Sequence, residues 1–320
     1  MSQPLIEGAI GLVFPGQGSQ FVGMAAQLAN ASLAARARLA EADEVLGFSL
    51  SNLMFEGPSE ELEDTFNAQP ALLAAGVAAM SAVEEGCKRL DRTLEPVVGA
   101  GHSLGEFTAL VAAGAISFPD ALKLVRQRGR LMKEAGQASP GGMAAILGVD
   151  DQALTDICEQ ASVHGVIVIA NANCPGQTVI SGEVAALEKA MELAKAAGAK
   201  RALRLGVSIA AHSPLMAEAN RQFADAINAV EISEPRWPII SNAEVRLLRQ
   251  PEDLRSELLA HMEGPVLWTQ TVQSMKSAGV KTVIELGPGA VLAGLIKRID
   301  RDLTVKSIAD LDLDLPAGTA

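Results

Sequence analysis

The stretch Val97-Val98-Gly99-Ala100-Gly101-His102-Ser103-Leu104-Gly105-Glu106-Phe107 decides how the chain is read. A short apolar run, the pattern of a buried strand, ends in Gly-His-Ser-Leu-Gly and passes directly into an Ala-rich, helix-prone segment. Glycines on both sides permit a sharp strand-to-helix turn with Ser103 at its tip. The helix that follows would aim its N-terminal N–H groups at any charge developing beside that hydroxyl. In a chain with 29 glycines, Gly-x-Ser-x-Gly can arise by chance. The strand before it and the helix after it favour a nucleophile over an ordinary tight turn.

Outward from that stretch, 320 residues suffice for one large domain or a domain with an insertion. Hydrophobic residues make up 49% and charged residues 20%, a globular composition. No apolar run reaches the roughly 20 residues of a membrane-spanning helix, and the N-terminus lacks a cleavable signal pattern, so no membrane association is expected. Cys87, Cys158 and Cys174 are odd in number and far apart, which fits reduced thiols in a cytoplasmic protein. None has metal-ligand spacing, so no metal is expected. A net charge of −12 argues against nucleic acid as a partner.

Upstream, residues 9–14 read as a buried first strand, followed by Pro15-Gly16-Gln17-Gly18-Ser19-Gln20. This loop is rich in backbone N–H groups at a strand's C-terminal end, where open α/β sheets build their sites; a plain strand-to-helix connection is the alternative. Helical patterns follow over 30–46 and 70–90.

Downstream, Pro119 suits a first helical turn, and a helix is predicted to about Ala135. Ala121, Val125, Gly129 and Met132 share one stripe of it, while Lys123, Arg126, Arg130 and Lys133 lie opposite. Arg128 falls within the apolar stripe. A buried guanidinium needs an anion, and the pattern alone leaves a structural ion pair and a ligand carboxylate equally open.

From residue 141 the pattern changes. A strand over 143–149, a helix over 151–161, strands over 166–170 and 178–181, a helix over 183–197 and a strand over 202–208 give β-α-β-β-α-β, the order of a ferredoxin-like unit. The predicted organisation is a discontinuous large α/β subdomain (1–138 and 206–310), an inserted small subdomain (139–205) and a flexible tail (311–320). Asn171-Ala172-Asn173-Cys174-Pro175-Gly176-Gln177 reads as a polar turn between the two middle strands. His212 sits at a strand-to-helix junction before Ser213 and Pro214, open to a structural or a catalytic role. His261 lies at a helix end before Gly264-Pro265. Strands over 237–241 and 282–286 complete the large sheet.

The ordered set 14–20, 101–106, Arg128-Gly129-Arg130-Leu131-Met132, 171–177, 207–216 and Glu285-Leu286-Gly287-Pro288-Gly289 resembles the malonyl-CoA:acyl carrier protein transacylases. The resemblance spans about residues 9 to 300. It implies an α/β-hydrolase-like large subdomain with an inserted ferredoxin-like one. Ser103 then matches the acylated nucleophile and His212 its general base. The backbone N–H groups of Gln17 and Leu104 match the oxyanion hole. Arg128 matches the arginine that pairs with the malonyl carboxylate, with Met132 in the same motif. Asn171 and Asn173 match polar residues lining the cleft.

Members usually carry glutamine where His261 stands, a position whose backbone carbonyl orients the catalytic histidine. His261 is counted here with the substrate-binding residues. Phe107 replaces a common tyrosine. The implied partners are malonyl-CoA and acyl carrier protein, with CoA part of the substrate, no further cofactor, and a monomeric enzyme supplying fatty-acid synthesis. The competing readings are an acyltransferase of polyketide or malonate decarboxylase metabolism, a serine thioesterase or hydrolase, and a non-catalytic carrier-binding module.

An acidic carrier needs a basic landing surface on so acidic a chain. Lys123, Arg126, Arg130 and Lys133 form one candidate, and Lys200, Arg201 and Arg204 a second, preferred because its strand leads into His212.

Overall fold

The computed structural model describes residues 3–315. A six-stranded sheet carries the large subdomain, in the order Leu247–Leu248, Ile239–Ile240, Pro96–Gly101, Ile10–Phe14, Thr282–Glu285, Thr304–Ser307. All neighbours pair in parallel except the outermost Leu247–Leu248. Every residue of Ile10–Phe14 is buried, as expected of a parallel strand covered on both faces. The edge strand Thr304–Ser307 was not foreseen; it is partly exposed and short, and its identity comes from its partner Thr282–Glu285. The strand expected over 237–241 shrinks to Ile239–Ile240.

Helix Thr65–Arg89 lines one side of this sheet with 19 of its residues buried, including Gln69. It is in fact long and apolar enough to cross a membrane, contrary to the expectation that no such segment exists. Its most apolar stretch is 89% buried inside the fold, so the core accounts for its apolar character. Helix Phe118–Ala138 packs against it, opening with Ser117 as N-cap at the Asp120 N–H. Ala121, Val125, Gly129 and Met132 are buried on it, as the stripe required.

The insertion forms a second, antiparallel sheet in the order Ile167–Cys174, Gln177–Glu183, Gly141–Leu147, Arg201–Arg204. Helices Asp151–Ala161 and Val184–Ala196 cover one face around Ala144, Ile146, Leu154, Ile157, Ile180 and Leu187. This is the ferredoxin-like unit. Its middle hairpin differs from expectation: strand Ile167–Cys174 continues through Asn171–Asn173, leaving only Pro175 and Gly176 as the turn. Asn171 and Ala172 pair with Gln177–Glu183 on one side and with Val266 on the other, and those bonds outweigh their turn propensity. The last strand stops at Arg204 and the chain runs on irregularly to His212. Leu311 and Leu313, assigned from the sequence to a flexible tail, are buried against the core; 316–320 of that tail lie outside the described residues.

Candidate active site

Strand Pro96–Gly101 delivers Ser103 to the C-terminal edge of the sheet, and helix Gly105–Ala112 leaves from it. Both glycines are required by close approach. A Cβ on Gly101 would overlap the Gly105 backbone, and one on Gly105 would overlap the Phe14 carbonyl. Ser103 itself has φ 48°, a left-handed conformation rare outside glycine.

His212 meets it from the far end of the insertion, also left-handed at φ 57°. Its Nε2 lies 2.8 Å from Ser103 Oγ, and its Nδ1 lies 2.7 Å from the Gly264 carbonyl. A carbonyl only accepts, so Nδ1 carries the proton and Nε2 presents a lone pair to the serine hydroxyl. The Gly264 carbonyl thus orients the ring, and the backbone of His261, the position the resemblance had implied, also raises its pKa. Burial, reinforced by the Arg128 charge, pushes the His212 imidazole down to about 3, so the ring is neutral near pH 7.

Arg128 is 2% exposed. It donates to Gln69 Oε1 at 2.8 Å and to Ser103 Oγ at 3.3 Å, and its Nη2 lies 3.3 Å from His261 Nδ1. Facing a guanidinium, that Nδ1 must accept, which places the His261 proton on Nε2, 3.7 Å from Glu106 Oε2. Among the described residues no carboxylate pairs directly with Arg128, and its Nε has no partner. This guanidinium faces the nucleophile with neutral acceptors and no counter-ion in contact among the described residues. Burial lowers its pKa to about 10, opposed by the attraction of Glu106, so it remains charged.

The loop 15–20 is tied into the same network. Thr65 Oγ1 donates to Gln17 Oε1 at 3.0 Å, and Gln69 Nε2 donates to Thr65 Oγ1 at 2.9 Å and reaches Met132 Sδ at 3.4 Å. The N–H groups of Gln17 and Leu104 have no acceptor among the described residues, which leaves both able to take a negative oxygen. Asn173 joins indirectly, its Oδ1 2.8 Å from Nε2 of His102, the residue before the nucleophile. Asn171 is buried in the strand that bridges to Val266. Among the described residues, no group of three or more His, Cys, Asp or Glu side chains could hold a metal ion.

Two residues beside the nucleophile were given no role by the sequence reading. Asn242 Oδ1 accepts the Ser103 N–H at 2.8 Å, and its Nδ2 donates to buried Glu106. Asn242 follows a short apolar strand, a position where α/β sheets place functional residues, and Glu106 is a lone acid on an apolar helix; those were the available signals. The expected solvated face of helix Phe118–Ala138 is only partly so: Arg126 stacks on Phe66 at 3.7 Å and Phe48 at 4.4 Å, while Lys133 pairs with Asp64.

The sequence matches the acyl transferase domain over residues 12–311. It is 44% identical over 302 residues to the malonyl CoA-acyl carrier protein transacylase of Bacillus subtilis (strain 168), covering 94% of this chain and 93% of that one. A solved structure of the malonyl CoA-acyl carrier protein transacylase from Coxiella burnetii superposes with a TM-score of 0.92 at 39% identity, over 98% of this chain and 96% of that one. A solved complex of a type II PKS acyl-carrier protein with its malonyl-transacylase matches with a TM-score of 0.90 at 41% identity, over 95% and 99%. With the serine elbow, the histidine and the buried arginine in one cleft, and near-complete coverage on both sides, the chain belongs to the acyl transferase domain family.

Proposed function

We propose that this protein is an [acyl-carrier-protein] S-malonyltransferase, moving a malonyl group from malonyl-CoA to the phosphopantetheine thiol of acyl carrier protein and supplying fatty-acid synthesis. The relatives named above support the activity and both substrates. The observation that carries it is a charged, buried Arg128 within 3.3 Å of a serine oxygen that also meets His212 Nε2 at 2.8 Å. A nucleophile beside a counter-ion-free guanidinium suits an acyl group that ends in a carboxylate.

In the first half-reaction His212 Nε2 takes the Ser103 proton as Oγ attacks the thioester carbonyl. The oxyanion is received by the N–H groups of Gln17 and Leu104. Collapse breaks the C–S bond, His212 returns the proton to the CoA sulfur, and malonyl-Ser103 remains. The carrier thiol then gives its proton to His212, its sulfur attacks the ester, and collapse restores the Ser103 hydroxyl. Protons and electrons balance with no cofactor beyond the CoA thioester. The malonyl carboxylate on Arg128 also offsets the charge that depresses His212, making the imidazole a stronger base once substrate is bound. Met132 and His261 shape the surroundings of Arg128, and Asn171 and Asn173 line the cleft.

The test uses malonyl-CoA alone, then with holo carrier protein. One equivalent of CoA should be released with a malonyl ester on Ser103, and turnover should follow only when carrier is added. Continuous CoA release with free malonate would make the protein a hydrolase. A wild-type protein that malonyl-CoA never labels at Ser103 would leave only a carrier-binding module. Comparing kcat/KM across fatty-acid, polyketide and malonate decarboxylase carriers assigns the pathway.

A further inference from the structure

Beneath Ser103 lies a set of buried polar groups that the acyl-transfer steps do not use. Asn242, 5% exposed, follows strand Ile239–Ile240, the neighbour of the nucleophile strand. Its Oδ1 accepts the Ser103 N–H at 2.8 Å, and its Nδ2 donates to the Gly101 carbonyl at 2.9 Å and to Glu106 Oε2. Its own N–H donates to Glu257 Oε1 at 3.0 Å, and its carbonyl accepts from Leu267 N–H at 2.9 Å. The side-chain oxygen and nitrogen are therefore fixed in one orientation, and a single amide spans the turn from Gly101 to Ser103.

The nucleophile's left-handed backbone at φ 48° does not hold itself. The Ser103 N–H, occupied by Asn242, is withdrawn from the site, while the Leu104 N–H one residue on is left without an acceptor among the described residues. If Asn242 were absent, a part-buried N–H would lose its acceptor. Rotation of Ser103 out of the left-handed region would relieve it, carrying Oγ away from His212 and turning the Leu104 N–H.

We propose that Asn242 is a positioning residue for the nucleophile, selecting the backbone conformation in which Ser103 Oγ meets His212 and the Leu104 N–H faces the cleft, with Glu106 and Glu257 holding Asn242 in register. The assignment rests on Ser103 being the nucleophile of the proposed transferase. Its test therefore includes a reagent indifferent to malonyl recognition.

Wild type, Asn242→Ala and Asn242→Asp are compared for malonyl-Ser103 formation and for inactivation by phenylmethylsulfonyl fluoride. Asn242→Ala should lower kcat for acylation and the inactivation rate by about 10- to 100-fold, with KM for malonyl-CoA within about twofold. In Asn242→Asp a protonated carboxyl can still accept from Ser103 and donate to Gly101. Once ionised, it has no donor left for the Gly101 carbonyl and Glu106, and sets a lone pair against each acceptor. The other groups around it are Glu257, Glu244 and Arg246 on its loop and the following helix, with Arg128, His261 and His212 beyond Glu106 and Ser103.

The ratio of Asn242→Asp to wild-type inactivation should accordingly be highest at acid pH and fall as pH rises from about 5 to 8, a profile a packing defect would not produce. Rates for Asn242→Ala within about twofold of wild type overturn the proposal. If that variant does not fold, a flat Asn242→Asp ratio overturns it. Sulfonylation rates that fall as expected in a protein that malonyl-CoA never labels would leave the positioning role standing and remove the malonyl reading.

Discussion

Gln69, Ser103 and His261 are the hydrogen-bonding neighbours of Arg128, and the absence of a carboxylate among them bears on selectivity. A charge-assisted contact to the malonyl carboxylate is worth about 1.5–3 kcal/mol, so Arg128→Ala should lower malonyl kcat/KM roughly 10- to 150-fold. Acetyl transfer should persist or improve; equal loss with both acyl groups would make the arginine structural. His261 allows a second prediction. Burial, then the charge of Arg128, holds its pKa well below the ordinary value of 6.5. The unfolded chain binds a proton there that the folded protein refuses, so stability present above pH 6.5 is lost as pH falls toward the folded value. His261→Gln removes that loss, by up to about 1.4 kcal/mol per pH unit. Its melting temperature should drop less than that of wild type between about pH 7 and 5. Glu106, Glu257 and Glu285, whose burial raises their carboxyls, oppose the trend in both proteins.

At the scale of elements, the nucleophile turn depends on a strand and a helix packed too closely for any side chain. Gly105→Ala drives a methyl into the backbone of Phe14 and Pro15, and an unfolding free energy lower by about 3 kcal/mol or more is expected in denaturant titration. This element was legible because its signals are local: an apolar run, two glycines and a helix-prone segment. Helix Asp151–Ala161 was legible at both ends for the same reason, with Asp150 capping the Ala153 N–H. Asn171–Asn173 was misread because its strand character comes from pairing with Gln177–Glu183 and with Val266, nearly a hundred residues on, and not from its own composition. The roles of Asn242 and Glu106, 136 positions apart in the chain, did not emerge for a related reason: their bonds to each other, to Ser103 and to Glu257 form only in the fold. Ser103, His212 and Arg128 stood out through motif and pattern, whereas the Gly264 carbonyl carries no side-chain signature at all.

For the whole molecule, a net charge of −12 would repel an acidic carrier protein unless a local surface attracts it. Arg201 and Arg204 are exposed on the edge strand of the small sheet and Lys200 just before it, and Arg204 lies 3.6 Å from Glu188. Three of the rival cluster's four cations are engaged: Lys133 by Asp64, Arg130 by Glu134 and Arg126 by Phe66 and Phe48. Lys200→Glu with Arg201→Glu should therefore slow malonyl delivery to the carrier while leaving acylation of Ser103 by malonyl-CoA unchanged. Added salt should reduce kcat/KM for the carrier more in wild type than in that variant, since screening acts over about 8 Å at physiological ionic strength. Equal kcat/KM in the two proteins would place the docking surface elsewhere.

The segment 262–266 is bonded on both flanks: Met262 O accepts the His212 N–H, Gly264 O accepts His212 Nδ1, and Val266 pairs with Ala170 and Ala172 in the insertion. It works as a coupling rod between the two sheets. Any swing of the small sheet would pull on the carbonyl that holds the imidazole, so the cleft cannot yawn open while the catalytic pair stays in register. Substrates are accordingly expected to exchange through a standing mouth. The amides of Ala172, His212 and Val266 should be among the last to exchange with heavy water, opening together and not one by one.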